Sequence, residues 1–171
     1  MTEQLPPGKK MGKSMAVIAW LLVLGLLSWY FGRVETARYN PNQTVNSVTL
    51  AGGTQVTLKR NAFGHYVASG EINNQSVTFL VDTGATHVAI PMHLKDKLGL
   101  KQGVEVPINT ANGRTTAYLT RIPELTLGNL RFYDVQGGLT RGMEGDEVLL
   151  GMSVLKELTI TQKGEVMILE R

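Results

Sequence analysis

The stretch from Val77 to Pro91 reads VTFLVDTGATHVAIP and decides the fold. An apolar run rich in strand formers leads into Asp82-Thr83-Gly84, and a second such run leaves it. Asp is a poor strand residue, and an ionised carboxylate is costly to bury. The plainest interpretation is an ordinary turn, because Asp, Thr and Gly all favour turns. The apolar flanks, however, place this turn inside a domain, which favours a functional role for Asp82.

The composition limits the classes of protein to which the chain can belong. Its 171 residues suit one domain with an appendage, and 43% hydrophobic residues with 19 glycines suit a modest β-rich core. The absence of cysteine excludes disulfides, thiolate metal sites and a cysteine nucleophile. No basic stripe with interleaved aromatic residues is present, so nucleic acid is not an expected partner. The three histidines form no HExxH pattern, and we expect neither a metal nor another cofactor.

Residues 15–31 (MAVIAWLLVLGLLSWYF) contain no charged side chain. At about 1.5 Å per residue, this run lies at the lower limit for crossing roughly 30 Å of hydrocarbon. Three lysines precede it, and Trp29 and Tyr30 lie at its far end, where aromatic belts form. We predict a transmembrane helix with residues 1–14 in the cytoplasm. A cleaved signal peptide and a buried core helix are the alternatives, although no good small-x-small cleavage motif follows the run.

The residues after this run divide into a linker and a β-rich domain. Residues 32–47 are polar, contain an Asn-Pro pair and lack periodicity, which is typical of a linker. Residues 48–171 alternate short apolar runs with turn signals, including predicted turns at 73–75, 128–129 and 163–164. Brief helices are predicted at 93–99 and 152–157. Residues 136–147 are polar and rich in glycine, and are predicted to form a loop. This pattern of many short strands predicts an all-β barrel or sandwich.

Three features, in order along the chain, resemble the retropepsin-like aspartic proteases, the single-domain, retroviral-type family. Asp82-Thr83-Gly84-Ala85 resembles their catalytic loop. The hairpin predicted at Asn112-Gly113 is similar to the flap that closes over bound peptide. Val148-Leu149-Leu150-Gly151 resembles the apolar segment that supports the catalytic loop. The resemblance implies a retropepsin-like barrel at residues 48–171 and an aspartic endopeptidase activity.

Peptide hydrolysis of this type requires two carboxyl groups. Without a metal or a covalent intermediate, one group must deprotonate water and another must protonate the substrate. Two carboxyls held close together share one proton and supply both roles. Because the chain has a single Asp-Thr-Gly, a symmetric homodimer would bring two copies of Asp82 together.

The resemblance also implies roles for neighbouring residues. Thr83 would lock the paired loops, Gly84 would donate its N–H to the carboxylate, and Ala85 would lie beneath the substrate. The alternatives for these three are a strand-end hydroxyl, a turn glycine and a core alanine. The substrate-binding candidates in the flap are Ala111, Asn112, Gly113 and Arg114. These would contact the substrate backbone by strand addition, or else form a mobile surface hairpin.

The resemblance extends to membrane-tethered bacterial relatives. It implies a single-pass protein of the inner membrane, with a periplasmic catalytic domain that acts on protein or peptide substrates. Two other functions stay open from the sequence. One is a non-catalytic, membrane-tethered β-barrel module that binds peptides, and the other is a structural tether that keeps the loop without activity.

Overall fold

The structure is a computed structural model that describes residues 7–110 and 113–171. The chain divides between Arg38 and Tyr39 into two compact units. The N-terminal unit is formed by helix α1 (Pro7–Tyr39). Within it, Lys13–Tyr39 is the one helical segment of the described residues that is long and apolar enough to cross a membrane. A signal sequence near an N-terminus has the same properties.

Helix α1 continues beyond the predicted transmembrane run. Residues 32–39, predicted as linker, are helical instead, because the first helix-breaking signal after the apolar run is Asn40-Pro41. Two contacts between residues four apart stabilise this extension. Thr36 Oγ1 donates to the Gly32 carbonyl at 2.9 Å, and the Arg33 guanidinium lies 4.6 Å from the centre of the Trp29 ring.

Among the described residues, the unit from Tyr39 to Arg171 contains eleven strands and two short helices. The strands are β1 (Asn46–Leu50), β2 (Gly53–Lys59), β3 (Val67–Ile72), β4 (Gln75–Val81), β5 (Val88–Pro91), β6 (Glu105–Thr110), β7 (Gly113–Leu127), β8 (Leu130–Thr140), β9 (Glu147–Leu150), β10 (Thr159–Lys163) and β11 (Val166–Glu170). The helices are a 3-10 turn, Met92–Leu94, and α2, Met152–Leu155.

Seven strands form one sheet in the order β3-β4-β9-β5-β8-β7-β6. β3 also pairs with β7, through Glu71 with Thr126 and Ile72 with Leu125, and this pairing closes the sheet into a barrel. The remaining strands form a second sheet in the order β1-β2-β11-β10. The prediction of an all-β barrel with one or two short helices is confirmed.

The core lies between these sheets, and Phe79 and Phe132 are the largest fully buried side chains. Strand β9 shows how the sequence specifies this burial. Val148 and Leu150 are completely buried, whereas Leu149 between them is half-buried, because successive side chains point to opposite faces of a strand. The short apolar segment therefore fixes β9 in the middle of the large sheet.

Several predicted turns coincide with observed strand connections. Asn73 and Asn74 have φ angles of 50° and 61° between β3 and β4, as a type I′ turn requires. Gly128 joins β7 to β8 with a φ of 58°, and Gly164 joins β10 to β11 with a φ of 61°. These residues tolerate the left-handed conformation, so the local sequence fixes the hairpin registers.

Three further predictions of element boundaries were wrong. Residues 136–140, predicted as the start of a loop, belong to β8, and Gly137 and Gly138 are buried there. A Cβ at Gly137 would lie 3.2 Å from the side chains of both Ile122 and Thr120, so this glycine permits close packing. The helix predicted at 152–157 ends at Leu155, and the one predicted at 93–99 is a 3-10 turn.

Residues 40–42 join the β-rich unit and are not a free linker. Asn42 is buried, and its Nδ2 donates to the carbonyls of Lys59 (2.9 Å) and Val67 (2.7 Å). Its Oδ1 accepts the Lys59 N–H at 2.7 Å, and its N–H donates to Asn40 Oδ1 at 2.9 Å. Its carbonyl accepts the Ser69 N–H at 3.1 Å. Asn42 therefore fastens β2 to β3.

We predict that Asn42→Ala destabilises the β-rich unit by about 2–4 kcal/mol, because it leaves three backbone groups of β2 and β3 without their partner. In thermal unfolding of the full chain in detergent, followed by circular dichroism, the melting temperature should fall by on the order of 10 °C. Gln43→Ala, at the exposed neighbouring position, is the control and should leave it unchanged. Equal melting temperatures for both variants would contradict the role of Asn42.

Candidate active site

The loop that carries Asp82 crosses the end of a neighbouring strand. β4 runs parallel to β9, with Val81 opposite Leu150, and β5 lies on the other side of β9, with Ala89 opposite Leu149. The connection from β4 to β5 must therefore pass over the C-terminal end of β9. Because both flanking strands are built into the barrel, the position of this loop is fixed by the sheet.

Asp82 is held by hydrogen bonds to both its backbone and its side chain. Its N–H donates to the Leu150 carbonyl at 3.2 Å, and its carbonyl accepts the Ala85 N–H at 3.3 Å. The Gly84 N–H donates to Asp82 Oδ1 at 2.8 Å. Such a bond fixes the orientation of the carboxylate. Asp82 is half-buried, whereas Thr83 and Gly84 are exposed.

The start of α2 anchors the second half of the loop. The N–H groups of Met152 and Ser153 donate to the carbonyls of Ala85 (2.8 Å) and Thr86 (2.9 Å). Ser153 Oγ accepts the Val88 N–H at 3.1 Å and donates to the Gln136 carbonyl at 2.9 Å. Ser153 thus links the loop, β5 and β8. Sequence reasoning missed Ser153, because a serine that follows Gly151-Met152 gives no local signal of such a contact.

Gly151, between β9 and α2, lies directly beneath the loop. A Cβ at this position would overlap the carbonyl oxygen of His87 and lie 2.7 Å from that of Ala85. Only glycine allows the loop to approach the backbone of residue 151 so closely. The structure therefore brings together two of the three predicted features, Asp82–Ala85 and Val148–Gly151.

The third feature, the predicted flap, is a hairpin at the edge of the large sheet. Thr110 pairs with Gly113, so the strands β6 and β7 extend to the predicted turn. Gly113 and Arg114 are exposed at the start of β7. Ala111 and Asn112 lie outside the described residues. β6 is the last strand of the sheet, so one edge of its backbone is open for pairing with an extended peptide.

The other three aspartates of the chain are each paired with a basic side chain. Asp96 lies 2.9 Å from Lys95, Asp134 lies 2.9 Å from Arg121, and Asp146 lies 2.7 Å from His93. All three are exposed and lie outside the catalytic loop. In residues 7–110 and 113–171, no group of three or more His, Asp or Glu side chains is placed to hold a metal ion.

Comparison with known families identifies the fold, and the matched residues include the Asp82 loop. Residues 68–157 match the family described as "gag-polyprotein putative aspartyl protease". This match covers more than half of the chain and includes both the Asp82 loop and its supporting strand β9. The chain belongs to this family of retropepsin-like aspartic proteases.

Two uncharacterised proteins and one solved structure are similar to this chain. An uncharacterised Sinorhizobium protein from the cobV 5′ region is 28% identical over 166 residues, covering 90% of this chain and 71% of that protein. An uncharacterised Rickettsia prowazekii protein is 30% identical over 105 residues, 60% of this chain and 45% of that protein. The crystal structure of a retropepsin-like aspartic protease from Rickettsia conorii matches with a TM-score of 0.59 and 26% identity. That match covers 74% of this chain and 95% of the other. The predicted retropepsin-like fold is confirmed.

We predict that Gly151→Ala displaces the Asp82 loop and destabilises the fold by about 1–3 kcal/mol, because the added methyl group overlaps backbone carbonyls that cannot rotate away. Amide hydrogen exchange of residues 82–87 in the full chain should become faster, with a lower melting temperature. The control is Gly145→Ala, where a Cβ meets nothing within 4 Å. Unchanged exchange in Gly151→Ala would show that the loop does not depend on this contact.

Proposed function

We propose that the chain is a membrane-anchored aspartic endopeptidase that hydrolyses peptide bonds through a pair of aspartates formed by homodimerisation. The observation that carries this proposal is the presentation of Asp82. Its carboxylate is oriented by the Gly84 N–H, on a loop held rigidly at both ends. Family membership supports protease chemistry, and the exposed Thr83-Gly84 tip leaves room for a second copy of the loop.

The second carboxyl group would come from Asp82 of the other copy. Asp96, Asp134 and Asp146 each have a lysine, arginine or histidine partner elsewhere on the surface, which makes them poor candidates. A two-fold axis near Thr83 and Gly84 would bring the two loops face to face. Two carboxyls in close contact cannot both ionise cheaply, so the pair would hold one shared proton.

This shared proton supplies both halves of the reaction. The ionised carboxylate takes a proton from water as the water oxygen bonds to the peptide carbonyl carbon. The protonated carboxyl gives its proton to the carbonyl oxygen, which forms a tetrahedral diol. Transfer of a proton to the amide nitrogen then allows the C–N bond to break. In this proposal Thr83 stabilises the paired loops and Gly84 orients the carboxylate.

The substrate would bind as an extended strand over the loop. Ala85 is half-buried beside Asp82. Its N–H donates to the Asp82 carbonyl and its carbonyl accepts the Met152 N–H, so its side chain would contribute a small apolar surface. The hairpin residues Ala111, Asn112, Gly113 and Arg114 would pair with the substrate backbone from the other side. Edge strands recognise extended peptides through main-chain hydrogen bonds, which gives affinity with little dependence on sequence.

Helix α1 would act as an uncleaved anchor in the inner membrane. We propose that residues 1–14 are cytoplasmic, that residues 15–31 cross the bilayer and that the protease domain, beginning at Tyr39, lies in the periplasm. The lysines before the apolar run support this orientation. Confinement of two copies to one membrane plane would raise their effective concentration and favour pairing.

The proposal predicts that Asp82→Asn removes cleavage of denatured casein by the full chain in detergent, with a rate loss of about 10³-fold or more. The substitution preserves shape, so the melting temperature should change little. Asp96→Asn, at an exposed aspartate outside the loop, is the control and should keep full activity. Undiminished cleavage by Asp82→Asn would refute the proposal. A stable dimer of the unaltered chain that binds casein without cleaving it would favour the non-catalytic peptide-binding module.

The proposed topology predicts which introduced cysteines are accessible to a thiol reagent. The chain contains no native cysteine, so only the introduced one can be labelled. In cells with a permeabilised outer membrane, a membrane-impermeant maleimide should label Gln162→Cys in the exposed part of β10. It should label Gln4→Cys only after lysis. The reverse pattern would place the protease domain in the cytoplasm, and loss of residues 1–31 from the mature chain would identify a signal peptide.

A further inference from the structure

A cavity of about 320 Å³ opens beside the catalytic loop. It lies between the loop, strand β8 and the residues around α2. Its lining includes Thr86, His87, Arg121, Asp134, Lys156 and Glu157. None of these residues has a role in the proposed chemistry at Asp82.

Not every charged side chain that lines this cavity has an oppositely charged partner. Both acids are already paired, since Arg121 lies 2.9 Å from Asp134 and Arg171 lies 2.8 Å from Glu157. The Lys156 ammonium, in contrast, makes no ion pair or side-chain hydrogen bond with any residue that the structure describes. The cavity therefore presents one uncompensated positive charge, which attracts an anion.

His87 adds a hydrogen-bond donor to the same wall. Its Nδ1 is buried and has no hydrogen-bond partner among the described atoms, although the residue is only half-buried. The accessible edge of the ring is therefore the one that carries Nε2. A neutral imidazole has one N–H, and a proton on Nε2 can donate to a ligand in the cavity. His87 and Lys156 together suit a carboxylate.

We propose that this cavity binds an acidic side chain of the polypeptide substrate, with Lys156 and His87 holding the carboxylate. The inference rests on the proposed protease function and specifies its substrate class. Arg121 and Arg171 would stay with their own acids, so the substrate carboxylate would complete the charge balance of the cavity. The exposed position of Lys156 keeps the cavity open to solvent, as entry of a side chain requires.

The position of the cavity limits which substrate residue can reach it. His87 follows Asp82 by five residues, and an extended chain spans at most about 3.5 Å per residue, so the cavity lies within roughly 18 Å of the catalytic carboxylate along the loop. An extended substrate advances about 3.3 Å per residue. The acidic side chain should therefore lie within about five residues of the scissile bond.

The test uses the full chain in detergent micelles and a casein-derived peptide that it cleaves. Glu or Gln is placed at each position within five residues of the cleaved bond, and kcat/KM is measured for each pair. At one position the Glu peptide should be cleaved about tenfold faster than the Gln peptide, the effect of a hydrogen-bonded charge. Lys156→Met should bring that ratio towards one, because cleavage of the Glu peptide loses the charge that favours it. Lys163→Met, at an exposed lysine outside the cavity, should preserve the ratio.

The outcomes separate the two proposals. Failure to cleave any peptide would refute the protease function itself. Cleavage with equal rates for Glu and Gln at every position would overturn only the acidic-substrate inference. A Glu preference that survives in Lys156→Met would also overturn it, because the selecting charge would lie elsewhere. If free glutarate, at the concentration of the peptide, occupied the cavity as well as the Glu side chain of the peptide does, the cavity would be assigned to small anions instead of a substrate side chain.

Discussion

The structure depends on the close approach of the Asp82 loop to the end of β9. The Asp82 N–H bonds to the Leu150 carbonyl, and Gly151 leaves no side chain between that strand and the loop. This contact continues the parallel pairing of β4 with β9, and it allows β9 to lie between β4 and β5. The same contact holds a half-buried carboxylate in one orientation, which is a requirement for acid–base chemistry. The fold and the proposed activity therefore share one local constraint.

A single carboxylate in this position is not sufficient for peptide hydrolysis of this type, which needs a second carboxyl group. The loop is rigid at its base, through Ser153 and the start of α2, and exposed at its tip, through Thr83 and Gly84. Because the base of the loop is already rigid, the loop loses little conformational entropy when a second copy of the chain binds. The exposed tip is accessible for contact with that copy. Membrane anchoring would act on the same equilibrium by holding the copies in one plane. In this account, pairing controls when the carboxylates become active.

Features encoded locally could be predicted from the sequence. The strand–turn–strand pattern around Asp82, the apolar segment at Val148–Leu150 and the Asn73-Asn74 turn depend on neighbouring residues and on backbone preferences. The extension of α1 to Tyr39 was missed because charged residues end a hydrophobic run without ending a helix. Gly137 and Gly138 were assigned to a loop because glycine favours turns, whereas their buried place in β8 depends on the packing of distant strands.

Features that depend on distant segments had no sequence signal. Asn42 bonds to residues 17 and 25 positions away, and no local pattern identifies it. Ser153 acts through β5 and β8, and the cavity that contains His87 and Lys156 forms only when the loop, β8 and α2 are assembled. The sequence thus indicated the chemistry of the loop. The residues that position the loop, and the residues of the neighbouring cavity, could be identified only from the folded structure.

The most direct measurement of the central claim is the activity of mixed dimers. Unaltered and Asp82→Asn chains, coexpressed at a series of ratios and purified together, would pair at random in the membrane. If each active site needs one aspartate from each copy, peptide cleavage follows the square of the unaltered fraction, so equal amounts give about a quarter of full activity. A rate that instead falls in direct proportion to the unaltered fraction would show that one copy suffices, and would contradict the account.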